Sequence, residues 1–350
     1  MERAKNNMND FSKLDIFYFS GTGNAKQIAH WFSENATGRN IDNKIYDIAK
    51  TDKSNFLEID TNSLVFIISP IHGFNFPKIT LDFIRRFPKE KNKIVLMNTR
   101  AGMKIGKFIT PGLTGIAFLL SSIILKAKGY TIVGQVPFDM PSNWISLHPA
   151  LNNKTVKYLH EINYNRVQKH AEKIFSSQRD FLAYRDLIQD ILISPIAVGY
   201  YFVGRFAIAK TFYASSACDN CNLCIHQCPV KAIKTVNDRP YWTFKCESCM
   251  HCMNYCPKRA IETAHALILI VSFISSGIFT YLFHNLLKIN IHSGLVNSTL
   301  SSAFFILMMW IFYIVQHYLL RMKIVAKLIS YLSLTHYKFW GRYKSTFSNK

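Results

Sequence analysis

The stretch between residues 218 and 257 contains two copies of one cysteine pattern. The first copy reads Cys218-x2-Cys221-x2-Cys224-x3-Cys228-Pro229, and the second reads Cys246-x2-Cys249-x2-Cys252-x3-Cys256-Pro257. The copies are offset by 28 residues, and the pair Ala232-Ile233 recurs as Ala260-Ile261. All 8 cysteines of the chain lie here, so the repeat predicts a small domain made of two related halves.

Thiolates at this spacing suit iron–sulfur chemistry. Three cysteines at two-residue gaps can reach three irons of one cube, and a triplet followed by x3-Cys-Pro is the bacterial ligand run for 4Fe-4S clusters. A pair of zinc sites is the alternative, but zinc sites usually combine two C-x2-C units across a longer spacer. The pattern therefore favours two 4Fe-4S clusters in a reducing compartment, with no disulfide framework.

Two apolar stretches of membrane-spanning length follow the cysteines, at residues 264–283 and 299–320. Basic residues flank this pair on its outer sides: Lys258, Arg259, Arg321, Lys323 and Lys327. The positive-inside bias places both outer ends in the cytoplasm, which predicts a two-helix transmembrane hairpin over 264–320 in a bacterial cytoplasmic membrane. The tail at 321–350 is basic and aromatic, and it predicts a segment lying on a bilayer with anionic headgroups.

Two histidines, His265 and His317, fall near the same cytoplasmic level of the two predicted spans. Facing histidines can bind a b-type haem or line a quinone site. The preferred interpretation is two interfacial histidines without a ligand.

The segment at 151–213 is predicted to be a helical connector with an apolar part. Pro195 is expected to break the apolar run, and Arg205 lies inside it. A charge at the centre of a spanning helix costs about 2.5–3.5 kcal/mol on insertion scales. We therefore expect residues 190–210 to lie in the membrane interface or to pack on a neighbouring domain, and a membrane span is the less favoured alternative.

The N-terminal domain, residues 1–150, begins with a polar segment without a signal peptide, which predicts a cytosolic location. An apolar strand at 16–19 runs into Ser20-Gly21-Thr22-Gly23-Asn24 and then into a helical pattern at 26–34. A strand, a turn of small residues and a helix N-terminus together form an anion site. An ordinary tight turn is the alternative for this motif taken alone.

Further strands at 64–68, 94–97 and 131–134 alternate with helical stretches at 78–87 and 107–128. This alternation predicts an α/β fold with a doubly wound, parallel, five-stranded sheet. Loops at 69–77 and 98–103 would leave the carboxyl edge of that sheet, where such folds bind ligands.

The N-terminal domain resembles the flavodoxin-like family, and the resemblance implies bound FMN. The implied phosphate-binding residues are Ser20, Gly21, Thr22, Gly23, Asn24 and Ala25. The implied contacts near the flavin ring are Ser69, Phe74, Phe76, Asn98, Thr99 and Gly102. Ala25 departs from the family, which often has Thr or Ser there, so only its backbone amide can contribute. Phe74 and Phe76 have an alternative role in covering the core.

Residues 214–263 resemble bacterial two-cluster ferredoxins, which are small α+β domains. In these proteins the fourth cysteine of each run binds the other cluster. The resemblance therefore assigns Cys218, Cys221, Cys224 and Cys256 to one cluster. It assigns Cys246, Cys249, Cys252 and Cys228 to the other. Asn222 stands where the family commonly has Gly, and Asn tolerates a left-handed backbone.

Across residues 14–263 the chain resembles bacterial flavodoxin–ferredoxin fusion proteins, which implies electron transfer between FMN and two 4Fe-4S clusters. A quinone or a redox protein would be the partner. The alternatives are an electron-carrier or assembly subunit of a larger membrane complex, a flavin-dependent reductase, and a redox sensor. The net charge of +21 is spread along apolar runs rather than concentrated in a basic block, so we expect a membrane and no nucleic acid.

Overall fold

The computed structural model describes residues 11–51, 58–105, 108–288 and 293–343. The described residues form two compact units. The first contains the chain up to Asn143 together with Leu151–Ala197, and the second contains Trp144–Ala150 and Val198–Tyr343.

The first unit is built on a parallel sheet. Its strands are β1 (Lys13–Tyr18), β2 (Asp42–Asp47), β3 (Ser63–Pro70), β4 (Lys93–Ile105), β5 (Phe108–Thr110) and β6 (Thr131–Pro141). Five of them lie in the order β2-β1-β3-β4-β6 and pair in parallel, and β5 adds a short antiparallel edge to β4. This is the flavodoxin-like strand order, so the predicted doubly wound five-stranded sheet is confirmed.

Helices cover both faces of this sheet, as its continuously apolar strands require. They are α1 (Asn24–Thr37), α2 (Lys78–Arg86), α3 (Ala117–Ala127) and α4 (Asn153–Phe175). The predicted helix at 107–128 is too long, because α3 begins only at Ala117. Pro111 lacks a backbone donor, and Gly115 has a left-handed backbone with φ 63°, so neither residue can sit inside an α-helix without cost.

The predicted loop at 98–103 is also wrong, because β4 continues to Ile105. Pairing with β6 extends as far as Gly102 opposite Pro141. Arg100 stabilises this extension of β4 through two ion pairs. Its buried guanidinium lies 2.7 Å from both Asp139 Oδ1 and Asp186 Oδ2. Two carboxylates around one buried arginine neutralise its charge, and the extended strand can therefore stay in the interior.

A long apolar helix follows α4. It consists of a 3₁₀ turn (Leu182–Asp186), α5 (Leu187–Gly199), a π-helical turn (Tyr200–Gly204) and α6 (Arg205–Ala209). The expected break at Pro195 is wrong, because α5 continues through this residue. Pro195 has no backbone N–H to donate, and next to it the Ser194 hydroxyl donates to the Asp190 carbonyl. The helix then widens into the π-helical turn that begins at Tyr200.

The second unit contains the cysteine repeat. Strands β7 (Phe212–Ala214) and β10 (Ile261–Thr263) pair antiparallel, and β8 (Ile233–Val236) and β9 (Arg239–Trp242) form a hairpin. Asn237 and Asp238 at the hairpin turn both have positive φ, as a tight two-residue turn requires. The short helices α7 (Leu223–His226) and α8 (His251–Tyr255) contain Cys224 and Cys252 at equivalent positions of the repeat.

Three further helices complete the second unit: α9 (His265–Thr280), α10 (Gly294–Leu319) and α11 (Lys323–Tyr331). A π-helical turn extends α9 to Leu286. Among the described residues, three helices are long and apolar enough to cross a membrane: Leu182–Ala209, His265–Phe283 and Gly294–Leu319. The last two coincide with the predicted hairpin, and the first adds a third candidate.

Candidate functional site

The eight thiols of the second unit line two cavities. The outer site is lined by Cys218, Cys221, Cys224 and Cys256, and also by Cys252. The inner site is lined by Cys228, Cys246, Cys249 and Cys252. The structure thus brings together the four cysteines that the ferredoxin resemblance assigns to each cluster, including the exchange of the fourth cysteine between the two runs.

These thiols are poorly placed to ionise without a metal. Burial raises the pKa of Cys246 to about 12, and burial together with Cys218 and Cys256 raises the pKa of Cys224 to about 12. Iron in a cluster would supply the positive charge that keeps four crowded thiolates ionised. In the part of the chain that the structure describes, no three Cys, His, Asp or Glu side chains are arranged to hold a single metal ion.

Backbone amides donate to the cysteine sulfurs. The amide of Ala232 lies 3.2 Å from Cys228 Sγ, and that of Ala260 lies 3.3 Å from Cys256 Sγ, at the equivalent position of the second half. Ser248 donates to Cys246 Sγ at 3.4 Å. Hydrogen bonds of this kind stabilise thiolate charge and raise the reduction potential of a bound cluster. The sulfurs and their donors therefore fit iron–sulfur clusters.

The 28-residue repeat also appears in the backbone. Three pairs of residues at this spacing have a left-handed conformation: Asn220 and Ser248, Asn222 and Met250, and Lys231 and Arg259. These turns bend each ligand run around its cavity. Asn222 has φ 56°, so the asparagine does adopt the left-handed conformation that the sequence analysis expected it to tolerate.

An apolar wall surrounds the inner site. Phe212, Trp242 and Met250 line it and are almost completely buried. Further apolar residues lie in the same packed group: Ile225, Val230, Ile233, Met253 and Ile261. An apolar shell excludes water from a cluster and so contributes to its potential.

Lys210 lies beside this wall and is 1% exposed. Its ammonium donates to the Trp242 carbonyl at 2.6 Å and lies over the rings of Phe244 and Tyr313, at 4.3 and 4.6 Å from their centroids. Burial lowers the pKa of Lys210 to about 8, while the nearby Cys246 opposes this shift. The sequence analysis missed Lys210, which the sequence shows only as the residue ending an apolar run.

The apolar helix α10 is tied directly to the β8–β9 hairpin. Tyr313 Oη accepts a hydrogen bond from the Trp242 amide at 2.9 Å, and His317 Nε2 lies 2.9 Å from the Val236 carbonyl. His265 Nε2 likewise lies 2.9 Å from the Ser146 carbonyl. Both Nε2 atoms are thus engaged by backbone carbonyls, an arrangement that favours structural histidines over haem ligands.

In the first unit, the predicted phosphate loop connects β1 to α1. Gly23 has φ 102°, and its amide donates to Ser20 Oγ at 3.0 Å, which leaves the Ser20 hydroxyl hydrogen to serve an anion. Asn143, which the sequence analysis missed, donates to the Thr22 hydroxyl. Asn24 donates to the Pro141 carbonyl at 2.9 Å. Small residues, hydroxyls and a helix N-terminus meet here, so the loop fits a phosphate group.

Ala25 is completely buried beside this loop. A hydroxyl at this position would therefore point into packed surroundings, and only the backbone of Ala25 remains as a contact. Gly21 lies in the loop between Ser20 and Thr22, within the turn that precedes α1.

The residues predicted near the flavin ring lie in varied surroundings. Ser69 is buried and shares a hydrogen bond with the Thr80 hydroxyl, and Phe76 packs in the core with its ring edge-on to Phe118. Phe74 is partly exposed and left-handed, with φ 65°. Its close approach to Gly115, where a Cβ would lie 2.2 Å from the Phe74 carbonyl oxygen, requires glycine there.

The remaining predicted ring contacts, Asn98, Thr99 and Gly102, belong to β4. Thr99 is almost completely buried, and a Cβ on Gly102 would lie 2.5 Å from the Asp139 carbonyl oxygen. Asn98 donates to Thr114, whereas its Oδ1 is buried without a partner among the described residues. This acceptor lies in the middle of β4, one residue before its pairing with β3 ends at Thr99. The carboxyl end of β3 therefore meets β4 next to Asn98, and a doubly wound sheet binds its ligand at the carboxyl ends of its strands.

Residues 217–261 match the family described as 4Fe-4S dicluster domain. No curated protein matches the chain. Among solved structures, flavodoxin 1 of Bacillus cereus is 16% identical, with a TM-score of 0.31 and coverage of 45% of this chain and 99% of its own. Fusobacterium nucleatum flavodoxin bound to flavin mononucleotide is 12% identical, with a TM-score of 0.33 and coverage of 48% and 99%.

The family match covers the cysteine repeat, and the strand order of the first unit is that of flavodoxins. The chain therefore combines a unit with the flavodoxin-like strand order, a region that matches the 4Fe-4S dicluster domain family, and apolar helices long enough to cross a membrane.

Proposed function

We propose that this protein is a membrane-bound electron-transfer flavoprotein that passes electrons between FMN and two 4Fe-4S clusters. The observation that carries the proposal is that the eight thiols line two cavities, which share Cys252, and that each cavity contains the four cysteines that one cluster needs. Bound FMN would supply two-electron chemistry and the clusters one-electron steps.

The chain's own residues would hold and tune these groups. Ser20, the Gly23 turn and the N-terminus of α1 would bind the FMN phosphate. Amides such as those of Ala232 and Ala260 would stabilise the cluster thiolates. The buried ammonium of Lys210 would add positive charge beside the inner site, which favours acceptance of an electron there.

The membrane part of the proposal is a multi-pass protein with its redox units in the bacterial cytoplasm. Basic residues precede α9 and follow α10, and they favour cytoplasmic ends for this pair. For the third apolar helix, polar contacts favour packing on protein over spanning. Asp190 accepts from the Gly115 amide at 2.8 Å, and Arg205 lies 3.8 Å from Glu247 and over the Tyr201 ring.

Two kinds of partner suit the two cluster sites. Cys221 at the outer site is exposed, and this exposure favours exchange with a redox protein. The inner site adjoins residues bonded to α10, and this proximity favours a quinone in the bilayer. An assembly or carrier subunit would instead co-purify with other subunits and show no turnover with quinone analogues.

The direct test is a measurement of iron, acid-labile sulfide and flavin in the purified protein, with absorbance and EPR spectra. We expect about eight irons per chain and one FMN. Zinc without sulfide would overturn the cluster assignment, and clusters without flavin would overturn the assignment of FMN to the first unit.

A matched pair of glycine variants tests the phosphate loop. Gly23→Ala places a side chain at φ 102°, a conformation that costs about 1–2 kcal/mol for an L-residue, so we expect FMN binding to weaken roughly tenfold. Gly38→Ala, at the other end of α1, is the control because φ there is −63° and the nearest atom to its Cβ would lie at 3.5 Å. Fluorescence titration with FMN measures both. Equal affinity in the two variants would contradict the assignment.

A further inference from the structure

An apolar cleft with a volume of about 270 Å³ lies between α9, α10 and α11 and is open to the outside. Its walls include Leu267, Ile270, Phe312, Val315 and Ile329. Ile270 and Val315 are about half exposed, so the cleft has an apolar mouth on the surface of two helices with the length and composition of membrane spans. A molecule dissolved in the bilayer could enter through this mouth without crossing water.

One polar side chain interrupts this lining. Gln316 is 6% exposed, and its Nε2 has no hydrogen-bond partner among the described residues. Leaving a buried amide donor unsatisfied destabilises the fold, so this position is unfavourable unless something accepts a hydrogen bond from the amide. An acyl chain could fill the cleft but offers no acceptor. An apolar molecule that carries a carbonyl oxygen satisfies both the walls and the amide.

We propose that this cleft binds the head group of a membrane quinone, with Gln316 Nε2 donating to one of its carbonyl oxygens. Gln316 lies one turn before the end of α10 at Leu319 and is followed by Arg321 and Lys323. The donor is thus close to the interfacial end of a span, where a polar head group is least costly to place. Because the quinone would exchange electrons with the clusters, this inference rests on the proposed function.

Helix α10 lines the cleft and contacts a residue that lines the inner site. Tyr313 precedes Gln316 by three residues on α10, so the two lie on neighbouring positions of one helical face. Tyr313 Oη contacts the amide of Trp242, and Trp242 lines the inner site. This short chain of contacts joins the proposed quinone position to a cluster through packed aromatic residues.

Two clusters would carry the number of electrons that reduction of a quinone requires. Reduction of one quinone to a quinol takes two electrons, one from each reduced cluster, and two protons from water at the membrane surface. Both clusters return to their oxidised state, and no other reductant is needed. The reverse reaction returns two electrons to the clusters and releases two protons.

The test uses the full chain with reconstituted clusters in nanodiscs of phosphatidylcholine and phosphatidylglycerol that contain no quinone. Decylubiquinone is the probe, and isothermal titration against protein-free nanodiscs measures its binding. Gln316→Leu keeps the volume and removes the donor, and we expect its affinity to fall about tenfold. Ala266→Phe fills a wall of the cleft and should abolish binding. Tyr318→Phe, an exposed position on the same helix, should bind as the native protein does.

A second measurement follows reoxidation of dithionite-reduced clusters by decylubiquinone, with iron content as the check that each variant is loaded and folded. Gln316→Leu and Ala266→Phe should slow reoxidation, while Tyr318→Phe should not. Native protein that binds no more decylubiquinone than empty nanodiscs, or loaded variants that bind as the native protein does, would overturn the site. Loss of iron and sulfide from the native protein would instead be a failure of the proposed function.

Discussion

The outer and inner cluster sites share one backbone and differ in their surroundings. Cys221 at the outer site is exposed and α7 has no buried residue, whereas Cys246 and Cys249 are buried and α8 buries Met253 and Asn254. Duplication thus gave two equivalent ligand frames, and the neighbours of each frame decide its chemistry. Burial disfavours the extra negative charge of a reduced cluster and so lowers its reduction potential. At the inner site, the positive charge of Lys210 favours the reduced cluster and so raises the potential.

The largest expected difference between the sites comes from removing one ligand at each. Cys249 and Cys221 occupy the same position in the two halves of the repeat. Replacing either one by serine should remove about four irons per chain, the content of one cluster. Because Cys249 is buried whereas Cys221 is exposed, the Cys249→Ser variant should also unfold at a clearly lower temperature. Iron analysis and thermal unfolding measure the pair. Equal losses of stability would contradict the asymmetry.

The equivalent left-handed residues Asn222 and Met250 test whether the two halves of the repeat are packed differently. Gly relieves backbone strain at both positions, but Met250→Gly also removes a side chain that is 1% exposed. We expect Met250→Gly to lower the free energy of unfolding by about 2–4 kcal/mol, and Asn222→Gly to change it by less than about 1 kcal/mol. Denaturant unfolding of the loaded protein measures both. A similar change in the two variants would show that the halves are packed alike.

Lys210 gives the most specific difference in redox chemistry. Lys210→Met removes a buried charge and should lower the midpoint potential of the inner cluster by an amount on the order of tens of millivolts, while the outer potential stays constant. Lys234→Met is the control. Both lysines lie over the Tyr241 ring, but Lys234 is exposed and its charge is therefore screened by solvent. EPR-monitored potentiometry resolves the two clusters. An equal shift of the inner and outer midpoint potentials in Lys210→Met would contradict a specific effect of Lys210 on the inner cluster.

Much of the fold could be predicted because its signals are local. Cysteine spacing indicates a dicluster domain, and apolar runs separated by glycine-rich turns indicate the parallel sheet. The extension of β4 could not be predicted, since it depends on Arg100 meeting Asp139 and Asp186 from distant parts of the chain. Lys210, Asn143 and Gln316 were missed for the same reason, because each acquires its role from neighbours remote in sequence.

The contact between Tyr313 and Trp242 has a consequence for biogenesis. The chain is synthesised from its N-terminus, so all eight cysteines emerge before Tyr313 does. At elongation rates of about 5–20 residues per second, the ribosome needs roughly 3 to 11 seconds to reach Tyr313 after the last cysteine. Iron delivered in that interval meets an inner site whose lining residue Trp242 is not yet in contact with Tyr313. Cells starved of iron during translation should therefore accumulate protein that lacks the inner cluster and can still acquire the outer one.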